Sequence, residues 1–419
     1  MGGENARRLG KMSARTPEDL LPESMLRGFR ARAPRYDAQN VFFDEDLAEL
    51  RGRGYLAAPV PVSLGGAGLS LEQLLAAQRR LAAHAPATAL GVNMHLVWVQ
   101  VARFLHDRGD DRLDWVLRDA VRGEVFAFGI SEAGNEAVLM DAGSSAERLG
   151  EGAGYRVSGT KIFTTLSPVW TRLGVHARWD PPRPSAGAEG AAGVGSGGGD
   201  PHLVFGFVRR DGGVLAEGAI SHPGTWNPLG MRATQSLTTA LDGVRIAEDD
   251  VAARIAPYDG SDPLILAIFS SFSLLTAAVY AGIADRALEL ATEAANRSAP
   301  TPDGREGIRL DDPDVAARLS DAVLDHRASL DALAVLARDV DAVRERADWF
   351  LALAAARNRV TDEARRTVDT AMRLVGAAAY DADGELARLY RDVLAGLFHP
   401  SSSRALARTV RGSLAADPG

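Results

Sequence analysis

The chain has 419 residues, 46% of them apolar, enough to bury a large core and to form two or three structural units rather than one small domain. Its 47 basic residues are outnumbered by 55 acidic ones, and no long block of Lys or Arg occurs, which argues against nucleic acid or an anionic membrane as a partner. Cysteine is absent, which excludes disulfides, thiolate metal sites and cysteine nucleophiles and suits a reducing compartment. Nothing near Met1 has a signal-peptide core, and no run reads as a membrane span, so a soluble cytoplasmic protein is expected.

Residues 1–17 are polar and basic and are expected to form a disordered arm. From 18 to 123 the apolar positions recur at three to five residues, as in Leu71, Leu74, Leu75 and Leu81, then Val97, Val101 and Leu105, which predicts an N-terminal helical domain. Pro61 and the cluster Gly65, Gly66, Gly68 break the helical pattern, and Ser70 can cap the helix that follows.

Period-2 patterning replaces helical spacing from 124 to 256. Phe126, Phe128 and Ile130 share one face of a predicted strand, and Tyr155, Val157 and Gly159 share one face of another. Further strands are expected near Leu173–Arg178, Leu203–Val208 and Thr238–Ile246. Residues 180–201, rich in Pro, Gly, Ala and Ser, read as a flexible insertion that cannot bury enough apolar surface to order itself. Between the first two strands, Ser131, Gly134 and Asn135 supply a hydroxyl, bare backbone and an amide, the elements an isoalloxazine ring needs beside an apolar floor. Residues 257–419 return to helical spacing and predict a bundle of four or five helices, apolar on more than one face, as helices buried between subunits are.

These segments resemble, in order along nearly the whole chain, the acyl-CoA dehydrogenase superfamily. Phe128, Gly129, Ile130, Ser131 and Glu132 match its flavin-lining Tyr-x-x-Thr-Glu run, and Gly159, Lys161, Phe163 and Thr165 match its Gly-x-Lys-x-Trp-x-Thr run. The resemblance implies an α+β fold with an N-terminal helical domain, a β-barrel-like centre and a C-terminal helical bundle. It also implies FAD or FMN, with Phe128 and Ile130 along its floor, Ser131 and Thr165 bonded to the flavin and Phe163 over one face. Ala133, Gly134, Asn135 and Glu136 replace the family's Pro-x-x-Gly-Ser-Asp, a departure in the usual substrate loop. Thr234, Ser236, Thr238 and Thr239 stand where the family places a Gly-x-Arg-x-Ser-x-Thr run over flavin and substrate, so Thr234 and Ser236 are candidate substrate contacts. Arg297 resembles the arginine that meets the flavin diphosphate of a neighbouring subunit, implying a homodimer or homotetramer; a solvated helix-end arginine is the plainer alternative.

The run beginning Arg388, Arg391, Asp392 matches the family's C-terminal motif, but the glutamate that removes the α-proton of an acyl thioester is replaced by Pro400. The family's other placement of that base falls near Phe272. Neither residue can accept a proton, so ordinary dehydrogenation lacks its base. His399 and His95 resemble the histidine pair of the superfamily's flavin-dependent monooxygenases, of the dibenzothiophene monooxygenase type, which take reduced flavin from a separate reductase. An imidazole titrating near neutrality suits proton relay in oxygen chemistry. The bland alternative for His95 is a hydrogen-bonded packing residue. Trp98 is a candidate wall for the substrate pocket, against core packing. The six other histidines show no paired ligand spacing, so no metal site is expected.

Three functions stay open. The first is a two-component monooxygenase using reduced flavin and oxygen on a small organic or carrier-bound substrate. The second is an atypical acyl-CoA or acyl-carrier dehydrogenase acting on a thioester through another carboxylate, Glu132 or Glu136 being nearest the flavin run. The third is a catalytically silent flavin-binding homologue.

Overall fold

The computed structural model describes residues 14–182, 200–300, 306–400 and 404, 406, 407, 410 and 411. Residues 1–13 of the expected arm, and 183–199 of the expected insertion, lie outside these. Residues 14–17 are ordered, contrary to the expectation for the arm, because Thr16 and Asp19 form a capping box and Arg15 donates to the Arg53 carbonyl at 2.8 Å.

Six helices open the chain: α1 (Pro17–Leu20), α2 (Glu23–Gln39), α3 (Asp44–Gly52), α4 (Leu71–Ala82), α5 (Pro86–His106) and α6 (Asp114–Arg122). Ser70 caps α4 in a reciprocal box with Gln73, as its position predicts. The strands follow: β1 (Phe126–Gly129), β2 (Ser145–Arg148), β3 (Tyr155–Thr164), β4 (Arg172–Trp179), β5 (His202–Asp211), β6 (Val214–Leu215), β7 (Ala219–Ser221), β8 (Leu237–Ile246) and β9 (Val251–Ile255). After them come α7 (Pro263–Ala295), the small pair β10 (Ser298–Pro300) and β11 (Glu306–Ile308), α8 (Pro313–Asp341), α9 (Trp349–Val375) and α10 (Glu385–Val393). Three of the C-terminal helices are long and α10 is short, fewer long helices among the described residues than the expected four or five.

The chain divides into two compact units. One holds both helical stretches together with residues 226–235; the other holds 125–225 and 236–265. The expected three-part division therefore differs in two respects: the N- and C-terminal helices share one unit, and residues 226–235, expected within the β domain, pack with them. The second unit is a nine-stranded sheet in the order β6-β5-β4-β2-β3-β8-β7, with β1 parallel to β4 and β9 against β5. Its core comes from the alternating inward positions of β3 and from β4 and β5, which are largely buried on both faces.

Helix α7 carries no charged residue from Leu264 to Ala284 and is long and apolar enough to cross a membrane, which corrects the expectation that no run approaches a span. Of its most apolar stretch, 89% is buried within the protein, as for a core helix.

Candidate functional site

In the sheet unit, the two flavin-like runs are neighbours: the Ile162 amide donates to the Ser131 carbonyl at 2.9 Å. Phe128 and Ile130 are buried, whereas Ser131 is half-buried. The register of β3 on β8 slips between Lys161 and Thr164, and inside that bulge Phe163 adopts φ 55° and stands 52% exposed. A left-handed aromatic residue carries strain that the surrounding ladder must offset, and the result is a large ring held outside the pleat. Thr165 and Ser236 share a hydrogen bond between hydroxyls at 2.7 Å. An exposed ring beside paired hydroxyls and a half-buried serine fits one face and one edge of an isoalloxazine.

Beneath this element lies a buried ion pair that spacing alone did not reveal. Lys161 Nζ donates to Glu132 Oε1 at 2.6 Å and to the His176 carbonyl at 2.7 Å. Glu132 also accepts from the Ser144 amide, the Ser144 hydroxyl and the Gly143 amide at 2.9, 2.6 and 2.6 Å. Burial raises the Glu132 pKa, but the Lys161 charge and these donors outweigh it and hold it at about 2. Gly159, with φ +153°, permits the close approach, since a Cβ there would stand 2.2 Å from Ser144 Oγ. Glu132 is thus a saturated structural carboxylate, which removes one of the two bases the dehydrogenase alternative relied on.

In the helical unit, the family's two base positions meet. His399, beside Pro400, packs edge-on against Phe272 with ring centroids 6.0 Å apart, and its Nε2 lies 2.7 Å from the Tyr280 hydroxyl. Among the described residues no carboxylate bonds to it. Burial, with the Arg357 charge adding to it, pulls the His399 pKa down to about 3. This corrects the expectation of an imidazole titrating near neutrality: His399 is neutral across the working range. Tyr280 was missed from sequence; its only signal is helical spacing, eight residues after Phe272 on one face of α7.

The C-terminal motif does structural work. Asp392 accepts from the Met231 amide at 2.5 Å, Arg391 pairs with Asp37, and Arg232 Nε donates to the Asp37 carbonyl at 2.8 Å. The family's Gly-x-Arg run and Arg-Asp run are therefore tied in one knot with α2. Thr234 is buried and its hydroxyl donates to the Met231 carbonyl at 2.9 Å, a local turn contact rather than an open substrate contact. Trp98 is buried in α5, which favours core packing over a pocket wall. His95 is fully buried, its Nε2 2.8 Å from the Leu56 carbonyl, and burial pulls its pKa down to about 4. That geometry is the one the packing alternative for His95 calls for. Arg297 is exposed just past the end of α7.

Residues 264–398 match the acyl-CoA dehydrogenase C-terminal domain family. Over those residues the chain is similar to the acyl-CoA dehydrogenases. It is 28% identical over 372 residues to YdbM of Bacillus subtilis, assigned by name to the acyl-CoA dehydrogenases, covering 89% of this chain and 90% of the relative. It is 29% identical over 407 residues to the L-evernosamine nitrososynthase of a Micromonospora species, covering 92% and 86%. Among solved structures it is similar to KijD3 in complex with FMN and dTDP-3-amino-2,3,6-trideoxy-4-keto-3-methyl-D-glucose, with 26% identity, a TM-score of 0.74 and coverage of 96% and 94%.

Proposed function

We propose that this protein is a flavin-dependent monooxygenase that receives reduced FAD or FMN from a separate reductase and transfers one atom of oxygen to a small substrate. The observation that carries the reading is the pair of base positions. Proline and phenylalanine occupy them, and the adjacent His399, its pKa held at about 3, is a very weak base, so neither position supplies a carboxylate to remove an α-proton. When bound, reduced flavin supplies the electrons that activate oxygen. Ser131 and Thr165 would meet its edge and Phe163 one face; within the helical unit, His399 would offer a ligand a neutral hydrogen bond. If the flavin is FAD, Arg297 would meet the diphosphate held by a second copy in a homodimer or homotetramer.

The relatives suggest the substrate class. An amine nitrogen on a nucleotide-linked sugar is the acceptor we favour, because the Micromonospora relative is named an L-evernosamine nitrososynthase and KijD3 is seen with an amino-sugar nucleotide. The reading is tested by supplying the chain with FMN, NADH and a flavin reductase under ¹⁸O₂ and examining a dTDP-amino sugar by mass spectrometry. Incorporation of ¹⁸O at nitrogen is expected. Bleaching of enzyme-bound FAD by an acyl thioester without oxygen, and no label in the sugar, would instead establish the dehydrogenase.

A further inference from the structure

We propose that Tyr280 fixes His399 as a neutral imidazole with its proton on Nδ1, so that this position offers a ligand a hydrogen-bond donor and no base. The inference deepens the oxygen-chemistry reading and rests on it for what the donor serves.

Tyr280 is fully buried, and among the described residues the one hydrogen-bond partner of its hydroxyl is His399 Nε2, at 2.7 Å. A phenol has one proton to donate and loses free energy if that proton is buried without an acceptor. Were Nε2 protonated, it would donate to the phenol oxygen and strand the phenol proton. With Nε2 bare, the phenol donates to it and both groups are satisfied. The remaining imidazole proton then sits on Nδ1, which has no protein partner among the described residues. The charged group whose field reaches the ring is Arg357 on α9, and it opposes a second proton.

The surroundings make this donor part of a subsite. Phe272, Thr276 and Tyr280 recur every four residues and share one face of α7. The His399 ring touches the rings of both Phe272 and Tyr280, so it lies over the turn that Thr276 occupies. Thr276 is 0% exposed and its hydroxyl has no partner among the described residues. An imidazole N–H and an unused hydroxyl on one apolar face complement a ligand's acceptor oxygen. They do not complement an acidic C–H.

The tautomer can be read directly by long-range ¹H–¹⁵N correlation on the ¹⁵N-labelled, flavin-free chain, with His399→Asn identifying the His399 signals. A protonated Nδ1 and a bare, pyridine-like Nε2, unchanged from pH 5 to 8, are expected. In Tyr280→Phe, which keeps the ring and loses the hydroxyl, the Nε2 signal should shift towards the position of two exchanging tautomers. A protonated Nε2 in the wild type, a titration between pH 5 and 8, or an unaltered pattern in a folded Tyr280→Phe variant would overturn the proposal. If that variant does not fold, the wild-type pattern alone decides the tautomer. Because no flavin, oxygen or substrate enters the measurement, its failure is separable from failure of the labelling experiment.

Discussion

A carboxylate that already accepts from Lys161, Ser144 and Gly143 has little capacity left for a substrate proton, and its value lies in what it holds together. Both side chains of the Lys161–Glu132 pair are almost wholly buried. Removing one charge strands the other, at a cost of about 3–5 kcal/mol. Lys161→Met should therefore lower the unfolding free energy by that order in denaturant titration, and adding Glu132→Gln should recover part of the loss; an unchanged midpoint in Lys161→Met would refute the pairing. The same pair bounds the acid range of this group, since Glu132 contributes fully above its ordinary pKa and its contribution fades as pH falls towards about 2. Ser131 and Thr165 belong to a different test. If each gives the flavin one hydrogen bond worth ~0.5–1.5 kcal/mol, the double alanine variant should bind flavin about ten- to a hundredfold more weakly in a fluorescence titration. Equal affinity would remove both residues from the cofactor edge.

At the scale of elements, the strands were legible because inward residues alternate along β3, and the cap of α4 because Ser70 and Gln73 stand three apart. The bulge at Phe163 was not, since its backbone departs from the ladder with no glycine to announce it. Helix α7 reads as helix but not as a site: it is apolar all round, so periodicity cannot say that Phe272 and Tyr280 face His399, which lies 119 residues after Tyr280. Contacts at such separations have no local signature. The knot joining residues 226–235 to α10 has the same character, linking Met231 to Asp392 across 161 positions. Gly230 is the small residue that lets it close, because a Cβ there would fall 2.3 Å from the Arg391 carbonyl oxygen. Backbone cannot yield as a flexible side chain can, so Gly230→Ala should cost about 1–3 kcal/mol of stability by denaturant unfolding. A variant as stable as the parent would show that these two segments do not approach so closely.

For the molecule as a whole, the shifted histidines set how stability varies with pH. His95, His176 and His399 are held below the ordinary imidazole value, at about 4, 4 and 3, by burial; the Arg357 charge adds to this at His399 and the Lys161 charge at His176. His326 goes the other way. It stands on α8 with Nε2 2.9 Å from Asp285 of α7 and Nδ1 3.2 Å from Glu363 of α9; burial lowers its pKa, but the two carboxylates outweigh that and raise it to about 9. Below pH 6.5 the unfolded chain takes up protons on three histidines that the folded chain keeps neutral, so stability falls as pH drops from 6.5 towards 4. Above pH 6.5 the folded chain alone keeps the His326 proton, so that contribution, on the order of 3 kcal/mol, is lost as pH rises to about 9. The two limbs meet near pH 6.5; burial raises Asp392 to about 6, so its proton uptake in the folded chain offsets one of the three histidine protons, and the acid limb is the steeper by a net of up to two protons against one on the alkaline side. Denaturant midpoints measured from pH 4 to 10 should trace this asymmetric dome. His326→Asn should flatten the alkaline limb while leaving the acid limb in place, and an alkaline limb equally steep in that variant would show that the clamp between Asp285 and Glu363 does not hold a charged imidazole.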